Sequence, residues 1–391
     1  AAAIITKNDF FDKVPAGINT SGGFITLVKC ADGKYAADVD AKHAPEHRQK
    51  HCIQAHYRPE LIDDDGIPTT PLLRQLVTGC FANLAPDEAK ARIRLLAQIG
   101  GAAIAGIATT IRKPKAFVLY GPSAQNGKSQ ILDVLRGLLP PEAVQSYSVQ
   151  QASDERYLPR LAGVMLNATD ELSSAAVQSD SFKKLVTGDV CSGREAYGQA
   201  MTFRPRAQHV FSSNKLPSFK GGADQGVRRR LGIIPFSRII PENERVAELG
   251  ARIVEEEADA VLSWLVHGAI SLLDAGFFVE TKLCKDALDD WLFSSDAVLA
   301  FQNEALEIDK DAPPINSSVL YKTFKVWALD QGFTGMPSIG NFNSRLREAL
   351  PGVTFKVTKD GKKWFGFKLN YELLNHDFTA NQNVLPYSRT A

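Results

Sequence analysis

Residues 116–131 read Ala116-Phe-Val-Leu-Tyr-Gly121-Pro-Ser-Ala-Gln-Asn126-Gly127-Lys128-Ser129-Gln-Ile131. A short apolar strand runs into a glycine-bounded loop, then Gly127-Lys128-Ser129, then a helix. The apolar residues Ile131, Leu132, Val134, Leu135, Leu138 and Leu139 recur at helical spacing until Pro140-Pro141 stops them. This is the build of a phosphate-binding loop. Loop amides and a helix N-terminus surround a polyphosphate, a lysine neutralises it, and a hydroxyl ligates Mg²⁺. The reading implies ATP and Mg²⁺, with Gly121, Asn126, Gly127, Lys128 and Ser129 as nucleotide ligands. Five residues, Pro122 to Asn126, separate Gly121 from Gly127, one more than the usual spacing. Either the loop is one residue longer or Gly121 merely ends the strand. The competing reading, a chance Gly-Lys-Ser in a turn, lacks the strand and helix on either side.

The 391 residues suit two to three domains, and 44% hydrophobic with 23% charged residues is ordinary for a globular protein. The net charge of +1 confines any nucleic-acid surface to a local patch. The cysteines at 30, 52, 80, 191 and 284 are scattered and form no Cys-x-x-Cys pair, which suits a reducing cytoplasm rather than a disulfide framework. No secretory signal is evident, and the apolar run Ile99 to Ile107 is too short to span a bilayer. The chain begins at Ala1 rather than Met, as a fragment of something longer would.

Apolar segments of strand length at 116–120, 144–148, 163–168, 207–212 and 231–236 alternate with helical or loop stretches. They predict a mostly parallel sheet with crossover helices. The segment Leu161-Ala-Gly-Val-Met-Leu-Asn-Ala-Thr-Asp170-Glu171 is an apolar strand ending in two acids. Asp170 suits the metal, together with Ser129, and Glu171 suits a base that orients water. An acidic strand end facing solvent is the bland alternative, and the position about forty residues after the loop argues against it. His209-Val-Phe-Ser-Ser-Asn214 ends another strand in an amide that suits a γ-phosphate or attacking water, although asparagine also forms turns. Arg228-Arg229-Arg230 offers either a solvated basic run or an arginine for a neighbour's γ-phosphate.

In this order the motifs resemble the superfamily 3 helicases of the phage and plasmid primase–helicase type, the poxvirus D5-like group. The resemblance covers most of the chain. Ile18-Asn19-Thr20 through Gly33-Lys34, His43-Ala-Pro and Tyr57-Arg-Pro resemble the segment before the helicase domain, and Leu95 to Gly100 its helical lead-in. Tyr120-Gly121 through Ser129 resembles Walker A, Asp170-Glu171 Walker B, and Phe182 through Pro205 motif B′. Ser213-Asn214 through Pro217 resembles the sensor motif, and Asp224 with Arg229-Arg230 the arginine-finger segment. The five-residue Walker A spacer departs from the pattern.

The resemblance implies an α/β fold with a P-loop AAA+-like ATPase core. It also implies a homo-oligomeric ring, usually a hexamer, with ATP between subunits and DNA in the pore. Arg229 or Arg230 would reach in from the neighbouring subunit. A hairpin at about 192–205 would enter the pore, with Arg194, Tyr197 and Arg204 on DNA and Lys184 as a weaker candidate. The expected function is an ATP-dependent DNA helicase of a mobile element, acting on single-stranded and forked DNA in a bacterial host cytoplasm. The rivals are an RNA translocase or packaging ATPase, and an origin-binding initiator that does not unwind. Asp63-Asp64-Asp65 are consecutive and make no primase centre, so priming is expected on a preceding segment or another protein.

The expected organisation is a β-containing segment at 1–65, helices at 66–112, the ATPase domain at 113–284, a helical linker at 285–312, a winged helix at 313–370 and a tail at 371–391. In the winged helix, Ser317 to Gln331 and a second helix from Pro337-Ser338 precede a hairpin that turns at Lys359-Asp360-Gly361-Lys362. Phe342, Leu346 and Leu350 read as inward, and Asn341, Asn343, Arg345 and Arg347 as outward. Arg345, Arg347, Lys359, Lys362 and Lys363 are the expected DNA contacts. A small packing domain with a soluble hairpin is the alternative. His43, His47 and His51 fall four apart and would suit zinc on one helix. Pro45 disfavours that helix and no paired cysteines accompany it, so a connecting segment is preferred.

Overall fold

Ala116–Tyr120 (β4) is buried at every position but its last, as a strand covered on both faces must be. It lies in a five-stranded sheet in a computed structural model that describes residues 17–152, 154, 156–170, 177–194, 200–214, 219–220, 225–331, 333 and 336–370. The chain divides into two units, residues 1–217 with 225–288, and residues 218–224 with 289–391.

The first unit begins with an antiparallel meander of Ile18–Thr20 (β1), Gly23–Lys29 (β2) and Tyr35–Asp40 (β3). Ile18, Ile25 and Leu27 enter the same core as the five-stranded sheet. Pro71–Gly79 (α1) and Pro86–Ile104 (α2) follow, each with proline in its first turn, where a missing N–H costs nothing.

After β4 come Lys128–Leu138 (α3), Val144–Gln145 (β5), Val149–Ala152 (α4) and Leu166–Thr169 (β6). Val177–Gln178 (β7), Ser179–Thr187 (α5), Cys191–Arg194 (β8), Ala200–Phe203 (β9) and Gln208–Ser213 (β10) come next. Phe219–Lys220 (β11) is grouped with the other unit, and Gln225–Arg230 (α6) and Leu231–Pro235 (β12) return to the first. The large sheet has the order β12-β4-β10-β6-β5 with every pairing parallel. The chain leaves β4 for the far strand β5, works back to β10, then passes over β4 to β12. The order therefore reverses beside β4, and a ligand crevice is expected at the carboxyl ends there. The expected strand at 144–148 is shorter, and the one at 163–168 shifts to Leu166–Thr169 after a turn at Gly163 (φ 81°).

Leu249–Glu256 (α7) and Ala258–Ala275 (α8) close this unit. Helix α8 is long and apolar enough to cross a membrane by length and composition, yet Val261, Leu262, Trp264, Leu265 and Val266 are buried in the core. It meets the Ala/Gly-rich half of α2 at backbone distance. A Cβ on Gly101 would lie 2.4 Å from Leu265 O, and one on Gly268 2.0 Å from Ala97 O. That contact accounts for Gly101, Ala102 and Ala103 within the apolar run Ile99 to Ile107.

Lys282–Ser295 (α9) spans the division between the units. The second unit contains Ala297–Ala305 (α10), Leu306–Ile308 (β13), Ile315–Asn316 (β14), Ser317–Asp330 (α11) and Ile339–Ala349 (α12). Thr354–Thr358 (β15), Gly361–Phe365 (β16) and Phe367–Leu369 (β17) complete it. One sheet has the order β14-β16-β15, and β13 pairs with β17. Phe301 of α10 packs with Phe324, Trp327, Phe342, Leu346 and Trp364. Residues 297–308, expected within a linker, are thus part of the folded unit.

Candidate nucleotide site and nucleic-acid surfaces

The loop after β4 starts beside the adjacent strand, where Gly121 N–H donates to Ser213 O at 3.2 Å. A Cβ on Gly121 would lie 2.3 Å from Asn126 Nδ2 and 2.6 Å from Phe236 O, so only glycine fits. Gly121 is thus tied sterically to the loop residue Asn126 as well as to the strand it ends. Gly127 is required twice over, by its φ of 87° and by Cys80 Sγ, which would lie 2.4 Å from its Cβ. The extra loop residue is accommodated at Gln125, which takes a left-handed φ of 62° while its carbonyl accepts Ile240 N–H at 2.9 Å.

Lys128 opens α3 and is 5% exposed. Its Nζ donates to Asn126 Oδ1 at 2.8 Å, Asn214 Oδ1 at 3.1 Å, Gly121 O at 3.2 Å and Ser123 O at 3.4 Å. Burial pulls its pKa below the ordinary lysine value. Asn126 is fixed by donating to Ser123 O at 2.8 Å and Phe236 O at 3.3 Å. Asn214 follows directly on β10, which lies beside β4, and so reaches the lysine across one strand spacing. The fold therefore brings together Gly121, Asn126, Gly127, Lys128 and Asn214, which the sequence separates by up to 93 positions. Ser129 is exposed in the first turn of α3.

Asp170 sits at the end of β6 and pairs with Arg136 of α3 at 2.7 Å. Arg136 also donates to Ala168 O at 3.1 and 3.3 Å, and lies 3.5 Å from Asp133. Burial and the charge of Asp170 both raise the pKa of Asp133. Arg136 is seven residues beyond Ser129. That spacing is two helical turns, so both occupy one stripe of α3 about 10 Å apart along its axis. Arg136 is not among the residues that the motifs single out, and its spacing from Ser129 is its one mark in the sequence. Glu171 lies outside the described residues.

Arg229 Nε donates to Gln225 O at 3.3 Å and Arg230 Nη1 to Gly226 O at 3.0 Å, so both bond to their own helix α6. Arg229 is exposed and Arg230 half-buried, while Val227 of the same helix is buried. Asp224 lies outside the described residues.

Strands β8 and β9 form the expected antiparallel hairpin, with Cys191 opposite Phe203 and Arg194 opposite Ala200. Arg194 is exposed at its end, and Tyr197 lies outside the described residues. Arg204 Nη1 donates to Gly188 O at 3.4 Å, and Lys184 is exposed on α5.

The second unit corrects two orientations. Arg345, expected outward, turns inward to pair with the buried Asp296, whose Oδ1 caps α10 by accepting Val298 N–H at 3.0 Å and Leu299 N–H at 3.2 Å. Asn343, also expected outward, is buried and accepts Ser317 Oγ at 2.8 Å and Trp364 Nε1 at 3.1 Å. A helix face is set by its neighbours, and here α10 and β16 supply partners to positions that read as polar surface. Arg347 is exposed with its guanidinium 5.0 Å from the Phe355 ring. Lys359 and Lys362 are exposed, and Lys363 lies 3.3 Å from Asp360.

The histidines at 43, 47, 51 and 56 have separate partners: Asn19, the Phe24 ring, Gly163 O and Asp259, respectively. No group of three metal-ligating side chains assembles among the described residues. Asp63 closes a turn, accepting Ile67 N–H at 2.9 Å and pairing with Arg74 at 3.1 Å.

Residues 119–230 match DUF5906, a family of unknown function. The matched stretch holds the loop, Asp170, Asn214 and the Arg229–Arg230 pair. No curated protein matches the chain. Among solved structures it is similar to the A form apo structure of the NrS-1 C terminal region, with TM-score 0.45 and 12% identity over 81% of this chain and 84% of that one. It is similar also to the A form of residues 305–718 of that region, with TM-score 0.43 and 13% identity over 88% and 96%. A further apo structure of the same region gives TM-score 0.45 and 13% identity over 82% and 85%.

Proposed function

We propose that this chain is an ATP-driven DNA helicase of phage, plasmid or other mobile-element replication, working as a homo-oligomeric ring of the superfamily 3 type. The observation that carries the proposal is the Lys128 amine, buried at the reversal point of a parallel sheet and hydrogen-bonded to Asn126 and Asn214. A buried ammonium whose partners among the described residues are neutral oxygens is poised to exchange them for phosphate oxygens, a stronger charge-assisted contact.

The residues fit MgATP. Gly121 and Gly127 let the loop close tightly on Asn126, Phe236 and Cys80, and the first turn of α3 offers amides that have no partner within the helix to a polyphosphate. Bound MgATP supplies the phosphoanhydride bond whose hydrolysis would drive movement along DNA. Lys128 neutralises phosphate charge, Ser129 and Asp170 hold the metal, Glu171 orients water and Asn214 positions the γ-phosphate end. Arg229 or Arg230 acts on a neighbouring subunit's nucleotide, exchanging its bond to its own helix for one to phosphate. The pore hairpin of β8 and β9 contacts DNA through Arg194, Tyr197 and Arg204, with Lys184 beside it.

The test is ATP hydrolysis and strand separation on forked DNA. Lys128→Ala is expected to abolish both while the fold survives, and full ATPase activity in that variant would sink the assignment. An Arg229→Ala/Arg230→Ala double variant mixed with Asp170→Ala is expected to regain turnover, because each supplies the half-site the other lacks. Absence of rescue at every mixing ratio counts against action between subunits. Separation of RNA duplexes alone would move the reading to an RNA translocase.

A further inference from the structure

The hairpin of β15 and β16 places Lys356 directly opposite Lys363, and Val357 directly opposite Lys362. Like charges facing each other across an antiparallel pair destabilise it. Asp360 lies 3.3 Å from Lys363, and Lys356 sits 5.9 Å from the Phe365 ring. Between residues 354 and 368 five lysines meet one acid. Lys368 is engaged elsewhere, at 3.3 Å from Glu307 and 3.8 Å from Asp309. Lys356, Lys359 and Lys362 make no ion pair with a described acid. Val357 is 76% exposed beside them. Side chains alternate along each strand, so the cations occupy both faces of the hairpin.

Helix α12 contrasts with this. Its exposed side carries Asn341, Ser344, Arg347 and Glu348, one cation against one anion. Arg345, which would have added charge, is turned in to Asp296.

From this distribution we infer that the second unit engages nucleic acid through its hairpin rather than through α12, gripping the phosphodiester backbone without reading sequence. The inference rests on the DNA reading above and assigns within it the surface and the kind of contact. Lys356, Lys359, Lys362 and Lys363 supply the charge, and a polyanion between them relieves the repulsion that the free hairpin carries. Val357 covers the sugar edge. The helix face is nearly neutral, and its one exposed guanidinium, Arg347, sits over the Phe355 ring of the hairpin rather than standing free for base-edge readout.

The experiment measures binding of the full chain to duplex DNA of two unrelated sequences, single-stranded DNA, single-stranded RNA and phosphatidylserine vesicles, each over a range of salt. Replacing Lys356, Lys359, Lys362 and Lys363 by Ala together is expected to weaken both duplexes equally. It should lower the slope of log K against log salt by roughly three to four, at about 0.9 for each phosphate no longer neutralised. The double variant Asn341→Ala/Ser344→Ala is expected to leave affinity and sequence ranking unchanged. Lys356→Glu places an acid opposite Lys363 and is expected to raise Tm while weakening nucleic-acid binding, whereas a merely structural role moves both together. Comparable losses on DNA and RNA support backbone recognition of either polymer. Wild-type affinity in the quadruple variant overturns the hairpin assignment and leaves the DNA reading standing. A wild-type chain that binds vesicles, or nothing, overturns both. A sequence preference that disappears in the α12 variant overturns the claim of sequence-independent contact.

Discussion

Lys128 Nζ donates to Asn214 Oδ1 at 3.1 Å, joining the helix after one strand to the end of its neighbour. In the proposed reading, one bond couples the residue that would meet phosphate to the residue that would sense it. Asn214→Ala is expected to keep ATP binding within a few-fold of wild type and to lower turnover about 10²–10³-fold, as loss of one positioned polar group does. Equilibrium binding of a labelled ATP analogue beside steady-state hydrolysis checks the split. Equal loss in both would mean that Asn214 is only a strut for Lys128.

Gly121→Ala puts a methyl group against Asn126 Nδ2 and Phe236 O. The expected result is a destabilisation of about 1–3 kcal/mol, as for overpacking elsewhere, together with weakened nucleotide binding. Thermal unfolding with and without MgATP measures both. Unchanged stability would restore Gly121 to a plain strand end.

Arg136 holds Asp170 at 2.7 Å and is itself fixed by Ala168 O. Arg136→Ala is expected to raise the Mg²⁺ concentration for half-maximal hydrolysis about tenfold, the lower end for a residue behind a metal ligand. Arg136→Lys should recover part of it. A fall in maximal rate with the Mg²⁺ dependence unmoved would assign Arg136 to another role.

Arg345→Ala strands the buried carboxylate of Asp296 and is expected to cost about 3–5 kcal/mol. Denaturant unfolding of the second unit reads the loss. DNA affinity, measured where the variant remains folded, should hold, which separates Arg345 from the exposed cations of the same unit.

Burial lowers the pKa of His209 from 6.5 to about 4, and Asn167 Nδ2 lies 3.3 Å from its Nδ1. The folded state keeps this histidine neutral, so between pH 6.5 and 4 the unfolded chain binds the extra proton. Stability therefore falls as pH drops through that window, by about 3 kcal/mol in all. His209→Gln is expected to flatten that slope in unfolding free energy measured at successive pH values. An unaltered slope would place the acid sensitivity elsewhere.

Local chemistry is legible in this chain wherever one segment suffices. The strand, loop and helix of 116–138, the hairpins at 191–203 and 354–365, and the helices behind proline starts all follow from turn residues and periodicity within about twenty positions. The buried face of α3 is equally readable. The partner of a polar side chain is not. Arg345 and Asn343 repeat at the spacing of a solvent face, and only Asp296, Ser317 and Trp364, brought in by other elements, turn them inward. Arg136 reads as an ordinary helical charge until β6 places Asp170 beside it.

By itself, then, the sequence determined where the chain turns, which segments are apolar enough to pair, and which residue types could meet phosphate. Tertiary structure alone decided that β10 lies between β4 and β6. Because neighbouring strands sit about 5 Å apart, that order is what brings Asn214 within hydrogen-bond reach of Lys128. A strand's position in a sheet depends on non-local pairing, which no local pattern of residues encodes.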